Sequence, residues 1–381
     1  MKFTIQRDQL MNGVQDVMKA ISSRTTIPIL SGMKMEATAE GIKLTGSDSD
    51  ISIESFIPKE EDGIVYVEGI EPGSIVLHAK YVPDIVRKLP EQMVEIESDE
   101  NFNVTVRSGN AEFHLNGQDA QEYPLLPKLH TENSFELPID LLKDLIRQTA
   151  FAVSTSENRP ILTGVNIKLE DGKIEFVATD SHRLASRKIP VNGEMKGFPY
   201  SNIVIPGKSL NELNKILEDS EDKIMISVTE NQILFRTKHL YFLSRLLDGN
   251  YPETSRLIPE QSKTNVVIGT KELLNSIDRA SLLAKEHRNN VVKLVTKESN
   301  QLEITSNSPE VGKVMEEVTA DSIEGEELKI SFSARYMMDA LKAIESEKVS
   351  IQFTGAMRPF LIRPADEREE ILQLILPVRT Y

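Results

Sequence analysis

The sequence predicts an α+β protein of three similar domains, each a pair of helix-plus-strands units with antiparallel sheet outside and helices packed against it. Three observations predict it: motifs that return at one fixed offset, a regular spacing of amphipathic segments, and period-two alternation between them. Pro28-Ile29-Leu30-Ser31-Gly32 returns as Pro160-Ile161-Leu162-Thr163-Gly164, an offset of 132, and Ser47-Asp48-Ser49 returns as Thr179-Asp180-Ser181 at the same offset. Two independent matches at one spacing mark an internal repeat. Ser306-Asn307-Ser308 is a looser third echo, and Tyr123-Pro124 and Tyr251-Pro252 close the first two copies. Polar stretches at His130 to Ser134 and Glu260 to Asn265 place the boundaries, which gives domains 1–128, 129–259 and 260–381.

Each copy divides again. Helical periodicity begins near Asp8, His78, Asp140, Gly207, Thr270 and Ala334. Leu10, Val14, Val17 and Ile21 mark the first helix, and Val82, Ile85, Val86 and Leu89 the second, with Pro83 confined to its opening turn. Leu141, Leu142, Leu145 and Ile146 mark the third; Leu210, Leu213 and Leu217 the fourth. Leu273, Leu274 and Ile277, then Met337, Met338, Leu341 and Ile344, complete the set. Between helices the chain alternates, as in Lys223-Ile224-Met225-Ile226-Ser227-Val228, and turns at Asp171-Gly172, Glu230-Asn231 and Ser299-Asn300.

Composition excludes several classes. With 381 residues, 39% of them hydrophobic, the chain buries large cores. It has no cysteine, which removes disulfides, thiolate metal sites and cysteine nucleophiles and fits a reducing cytoplasm. The opening MKFTIQRDQL puts charges where a signal peptide needs apolar residues, and no stretch approaches the roughly 20 apolar residues of a membrane span. No membrane partner is expected. A net charge of −15 argues at first against nucleic acid, since Lys and Arg make phosphate contacts. The charge is unevenly spread, however. The six helical segments carry 13 Lys and Arg against 12 Asp and Glu, leaving 31 against 47 elsewhere. Acidity therefore belongs to strands and loops. Helices sharing one surface would present a near-neutral face with Lys80, Arg87, Lys143, Arg147, Lys208, Lys215 and Arg279 on it. That face is either one a polyanion prefers or a set of ordinary solvated helix surfaces.

Catalytic readings are weak. Asp180-Ser181-His182 has the letters of a hydrolase triad, yet triad members meet across a fold rather than in succession. Gly207-Lys208-Ser209 resembles the end of a phosphate-binding loop, but Asn202 occupies the position of the required first glycine. The histidines at 78, 114, 130, 182, 239 and 287 never approach metal-ligand spacing. No catalytic residue, metal or cofactor is expected.

The segment VATDSHRLAS at 177–186, Arg159 to Gly164, the turn Asp248-Gly249-Asn250-Tyr251-Pro252 and the terminal Leu376-Pro377-Val378-Arg379 together resemble the bacterial DNA polymerase III beta subunit, the sliding-clamp family. The resemblance spans the chain and agrees in order, spacing and threefold repetition. It implies the DNA clamp fold. Two chains then close head to tail into a ring around duplex DNA, with helices lining the hole and sheets forming the rim. Twelve helices of about 10 Å leave a bore of roughly 28 Å, six only ~9 Å; the larger bore suits a duplex whose major groove alone is about 12 Å wide. A near-neutral lining suits sliding, because dense phosphate pairing would hold the ring in place.

The resemblance also implies a pocket for short linear motifs from polymerase subunits, the clamp loader and repair proteins. Carried over by position, its residues are Leu162, Thr179, His182, Arg183, Leu184, Pro252, Arg256, Leu257, Tyr336, Met357, Leu374, Leu376, Pro377, Val378 and Arg379. An apolar run ending in arginine offers surface for anchor residues and a charge for a backbone or carboxylate. The run 371–378 is also readable as a last core strand; Leu374 suits core and pocket equally, whereas Pro377 to Arg379 suit the pocket better. Arg24, in a loop after the first helix, matches a basic DNA-facing position. Ser181 stands where some members have glycine, Arg159-Pro160-Ile161 lacks an aromatic pair found in relatives, and Glu286-His287-Arg288-Asn289-Asn290 lacks an aromatic. The competing class is a repeat scaffold that binds proteins without encircling DNA.

Overall fold

The computed structural model describes residues 1–127, 134–170, 172–191, 203–284, 290–366 and 369–379. His130 with the first linker up to 133, Asp171, Asn202, Lys285 and the segment 286–289 with His287 lie outside them. The chain forms two compact units, Met1–Asp140 with Lys215–Leu246, and Leu141–Asn214 with Leu247–Tyr381.

The sixfold pattern is present along the chain. The first copy runs β1 (Lys2–Gln6), α1 (Arg7–Met18), β2 (Gly32–Thr38), β3 (Gly41–Ser47) and β4 (Ile51–Pro58), then the short β5 (Glu60–Glu61), β6 (Ile64–Val65) and β7 (Val67–Glu71). Its second half is β8 (Gly73–His78), α2 (Val82–Lys88), β9 (Met93–Ser98), β10 (Asn103–Ser108) and β11 (Ala111–Gln118). The second copy is β12 (Ser134–Pro138), α3 (Ile139–Thr149), β13 (Gly164–Glu170), β14 (Lys173–Thr179) and β15 (Arg183–Pro190). It continues with β16 (Ile203–Pro206), α4 (Gly207–Ile216), β17 (Lys223–Val228), β18 (Gln232–Arg236) and β19 (Leu240–Arg245). The third is β20 (Thr264–Gly269), α5 (Thr270–Ala284), β21 (Val291–Thr296), β22 (Gln301–Ser308), β23 (Gly312–Thr319) and β24 (Ser322–Gly325). It ends with β25 (Lys329–Ser333), α6 (Ala334–Lys342), β26 (Lys348–Phe353), β27 (Phe360–Pro364) and β28 (Glu370–Ile375). In every half a strand enters a helix and a three-stranded antiparallel meander follows.

The leading strand of each half is inserted beside the meander of the other half. β1 pairs with β9 and β8 with β2; β12 pairs with β17 and β16 with β13; β20 pairs with β26 and β25 with β21. Backbone hydrogen bonds thus lock the halves of each copy together. The first unit holds the sheet β12-β17-β18-β19-β4-β3-β2-β8-β11-β10-β9-β1-β7 and the two-stranded β5-β6. The second holds β16-β13-β14-β15-β28-β27-β26-β20-β24 and a separate β23-β22-β21-β25.

Helix faces bury as periodicity requires: Leu10, Val14 and Val17 on α1, Leu142, Leu145 and Ile146 on α3, Leu273 and Ile277 on α5, and Met337 and Leu341 on α6 are essentially inaccessible. Strands such as β4 alternate buried and half-buried residues along their length. Repeated motifs adopt repeated geometry. Pro28–Ser31 and Pro160–Thr163 each form a single 3₁₀ turn, closed by Ser31 Oγ on the Pro28 carbonyl and Thr163 Oγ1 on the Pro160 carbonyl, both at 2.7 Å. The glycine after each is required by packing: a Cβ on Gly32 would lie 2.5 Å from Val76 Cγ1, and one on Gly164 2.6 Å from Val204 Cγ1.

Two expectations are corrected. The second helix starts at Val82, not near His78, because Val76 and Leu77 are already committed to β8 and Pro83 fixes the opening turn. Lys80 therefore sits in the turn ahead of α2. Ser306-Asn307-Ser308 lies inside β22 and pairs with β23, so the third copy turns two residues later than the echo suggests.

Candidate functional site

The motif Thr179-Asp180-Ser181 makes a tight turn between β14 and β15 by local hydrogen bonding. Asp180 Oδ1 accepts the backbone N–H groups of His182 (2.9 Å) and Arg183 (3.0 Å), and Thr179 Oγ1 accepts that of Ser181 at 3.2 Å. Short polar side chains favour this kind of turn. Asp48 Oδ1 holds the N–H groups of Asp50 and Ile51 in the first copy in the same manner. Ser181 takes φ +76° and its counterpart Ser49 φ +79°, the left-handed region that glycine occupies most easily. The Thr179 hydroxyl donates to the Arg183 carbonyl at 2.6 Å and closes the turn.

Beside this turn β15 pairs with β28, with Leu184 opposite Leu374, while Leu361 of β27 also faces Leu374. Val177, Leu184, Leu361 and Leu374 form a small buried cluster of their own, with Tyr251, Ile258 and Leu372 packed against it. Leu374 is thus both a strand residue and the floor of this cluster. Tyr251 is fixed by accepting the Thr179 N–H at 3.0 Å, and burial pushes its phenol well above the usual tyrosine range. The chain after β28 runs alongside: Leu376 N–H donates to the His182 carbonyl and Val378 N–H to the Ser331 carbonyl, at 2.9 and 2.8 Å. Leucine and methionine are left in solvent around this region, Leu257 51%, Met357 55% and Leu376 37% exposed. His182, Pro252, Arg256 and Arg379 are exposed, Pro377 and Val378 half-buried, and Leu162 and Thr179 buried.

Arg183 has a different environment. Its side chain is only 7% exposed. Nε donates to Asp180 Oδ2 (3.0 Å), Nη1 to Asp339 Oδ2 (2.7 Å) and Nη2 to the Phe151 carbonyl (2.6 Å), and the guanidinium lies 4.4 Å from the Tyr336 ring centroid and 5.3 Å from that of Phe151. Burial pushes the Tyr336 phenol up, and Asp180 adds to it. Arg183 is therefore a wall residue, and Arg256 and Arg379 carry the accessible charge. Sequence reasoning missed Asp339, Phe151, Val177 and Leu361. For Asp339 a signal existed, since it lies one helical turn from Tyr336.

Family models for the DNA polymerase III beta subunit match the chain three times: the N-terminal domain over residues 1–127, the central domain over 136–253 and the C-terminal domain over 255–379. The chain belongs to the DNA polymerase III beta subunit family. It is 59% identical to the beta sliding clamp of Bacillus subtilis and 53% identical to that of Halalkalibacterium halodurans, each over the whole of both chains. The solved B. subtilis sliding clamp superposes with a TM-score of 0.95, and the beta chain from Streptococcus pneumoniae, 40% identical, with 0.92, both over the full length of each chain. A Pseudomonas aeruginosa clamp solved with bound griselimycin, 26% identical, gives 0.90, again with full coverage of both chains.

As a beta subunit the chain is a DNA sliding clamp, a non-catalytic processivity subunit of DNA polymerase III. The motifs that look enzymatic have structural uses. Asp180 serves the turn and Arg183, and Gly207 is a packing glycine, since a Cβ there would lie 2.9 Å from Val153 Cγ2. Three of the helix arginines are committed to carboxylates. Arg87 pairs with Asp84 (3.3 Å), Arg147 with Asp144 (2.8 Å) and Glu345 (2.6 Å), and Arg279 Nε with Glu316 (2.9 Å). Lys143 is half-buried, Lys208 and Lys215 are exposed, Lys80 lies 5.2 Å from the Tyr81 ring centroid, and Arg24 is exposed in the loop after α1. Among the described residues no helix is long and apolar enough to cross a membrane.

Proposed function

We propose that two copies of the chain close head to tail into a ring around double-stranded DNA, independent of sequence, each copy contributing domains 1–128, 129–259 and 260–381. The strand bookkeeping carries this reading. The third strand of one copy's first meander pairs with the third strand of the next copy's second meander twice: β4 with β19, and β15 with β28. Two third strands remain without that mate. Among the described residues β23 pairs with β22 alone, and residues 111–116 of β11 pair with β10 alone. Open edges with apolar residues such as Met315, 60% exposed, invite another strand. Pairing β23 of one protomer with β11 of its partner repeats the joint already made twice within the chain, and a heterologous contact that repeats twice closes.

Arg24, Lys80, Arg87, Lys143, Arg147, Lys208, Lys215 and Arg279 then face the duplex, and the carboxylate partners of the arginines keep that face near neutral, as sliding requires. The cluster at the β15–β28 joint receives short linear motifs from polymerase subunits, the clamp loader and repair proteins, with Leu257, Met357 and Leu376 offering apolar surface and Arg256 and Arg379 charge. The cytoplasm, around the nucleoid, is where such a ring works. Loading the protein on nicked circular DNA and then linearising the circle tests the ring: retention on the circle with release from the linear form is expected. Equal release from both would overturn it in favour of a protein-binding scaffold.

A further inference from the structure

Arg183 and Asp339 are 156 positions apart in sequence, yet Arg183 Nη1 donates to Asp339 Oδ2 at 2.7 Å beside the β15–β28 joint. Asp339 lies on α6 one turn after Tyr336, so one helix face supplies both a carboxylate and an aromatic ring to the same guanidinium. The opposite side of that guanidinium is held by Asp180, whose other oxygen fixes the N–H groups of His182 and Arg183. The His182 carbonyl in turn anchors the terminal segment through Leu376. A continuous chain of charge-assisted and backbone hydrogen bonds therefore runs from α6 through Arg183 and the turn to the segment 376–379. A guanidinium with one carboxylate on each side has a fixed plane, because its donors form a rigid fork.

We propose that Asp339 is a positioning residue for motif binding: it holds Arg183, and through Arg183 it sets the turn and the terminal segment that receive the partner peptide. The inference rests on the motif-binding reading of the β15–β28 joint. It adds that α6, a helix lining the hole in that reading, also shapes the pocket.

Fluorescence anisotropy with a fluorescein-labelled linear peptide derived from the cognate replicative polymerase tests it, on full-length wild type, D339N, D339E, R183K and the D339N/R183K double variant. All are measured at a temperature where circular dichroism shows each one folded. D339N is expected to bind about tenfold more weakly, the weight of one charge-assisted hydrogen bond. D339E is expected to recover most of the loss, and D339N and R183K to be non-additive, since both break the same pair. Asp180 remains beside Arg183 in D339N, and R183K keeps the positive charge, so a second folded variant is at hand should one fail. A folded D339N with wild-type affinity, or strictly additive losses, overturns the inference while leaving the pocket in place. A wild-type chain that does not bind the peptide overturns the pocket itself and this inference with it.

Discussion

Tyr251 and Thr179, 72 residues apart, are joined by a hydrogen bond in which the Thr179 backbone N–H donates to the phenol oxygen at 3.0 Å. The contact pins the segment around Tyr251 onto the turn between β14 and β15. Y251F keeps the ring and removes the phenol oxygen that accepts this N–H. Leaving such a donor unpaired costs about 1–3 kcal/mol, so the urea midpoint of Y251F is expected to fall without a change in slope. A midpoint equal to wild type would show that water replaces the phenol.

Ser181 at φ +76° pays for its left-handed backbone. An L-residue there costs roughly 1–2 kcal/mol, while glycine costs about 0.5–1 kcal/mol in chain entropy elsewhere. S181G is therefore expected to melt at or slightly above the wild-type temperature. S181V, β-branched at positive φ, is expected to lose about 1–3 kcal/mol and to weaken peptide binding, because His182 is displaced with the turn. Calorimetry on the pair decides it; equal melting of the two variants would mean the turn relaxes out of the left-handed region.

The repeat, the six helix faces and the local turn were readable because each depends on residues close together in sequence. Asp180 caps N–H groups two and three residues on, and Leu10, Val14 and Val17 share a face through helix geometry alone. The exchange of leading strands between halves was not readable, since β1 beside β9 is a pairing over some ninety residues that alternation leaves open. The partners of Arg183 escaped for the same reason, since only the fold brings Asp339 and Phe151 to it. The specialisation of one joint was legible in principle. Val177 and Leu184 of the second copy stand, at the repeat offset of 132, where the first has Thr45 and Ser52. An apolar floor forms at the second joint, while at the first the Ser47 and Ser52 hydroxyls bond each other at 2.8 Å.

In the proposed ring the terminal segment is separable from the β11–β23 contact. Residues 377–379 follow β28, and the Val378 N–H donates to the Ser331 carbonyl of β25, the opposite edge of its sheet from β23. Truncation after Leu376 is expected to abolish binding of a polymerase-derived peptide while light scattering still reports a dimer. Unchanged peptide affinity would remove the segment from the pocket.

Asp16 on α1 gives a pH signature. Its side chain is 26% exposed, Lys19 lies 3.6 Å away, and it lines a cavity of about 690 Å³ with Glu218. Burial raises its carboxyl from 3.8 to about 6; Lys19 opposes the rise and Glu218 adds to it. Between those two values the folded chain binds more protons than the unfolded one, so the contribution of Asp16 to stability falls as pH rises through that window. Above about pH 6 a partly buried charge is held against its preference. D16N removes that charge and keeps the shape. At pH 7.5 it is expected to be more stable than wild type by on the order of 1–2 kcal/mol, discounted for the Lys19 pair that it also loses. Near pH 4, where wild-type Asp16 is protonated in the fold, the advantage should vanish. Urea titrations of both proteins from pH 4 to 8 measure the difference, and a D16N advantage that is constant with pH would mean the gain comes from something other than the Asp16 charge.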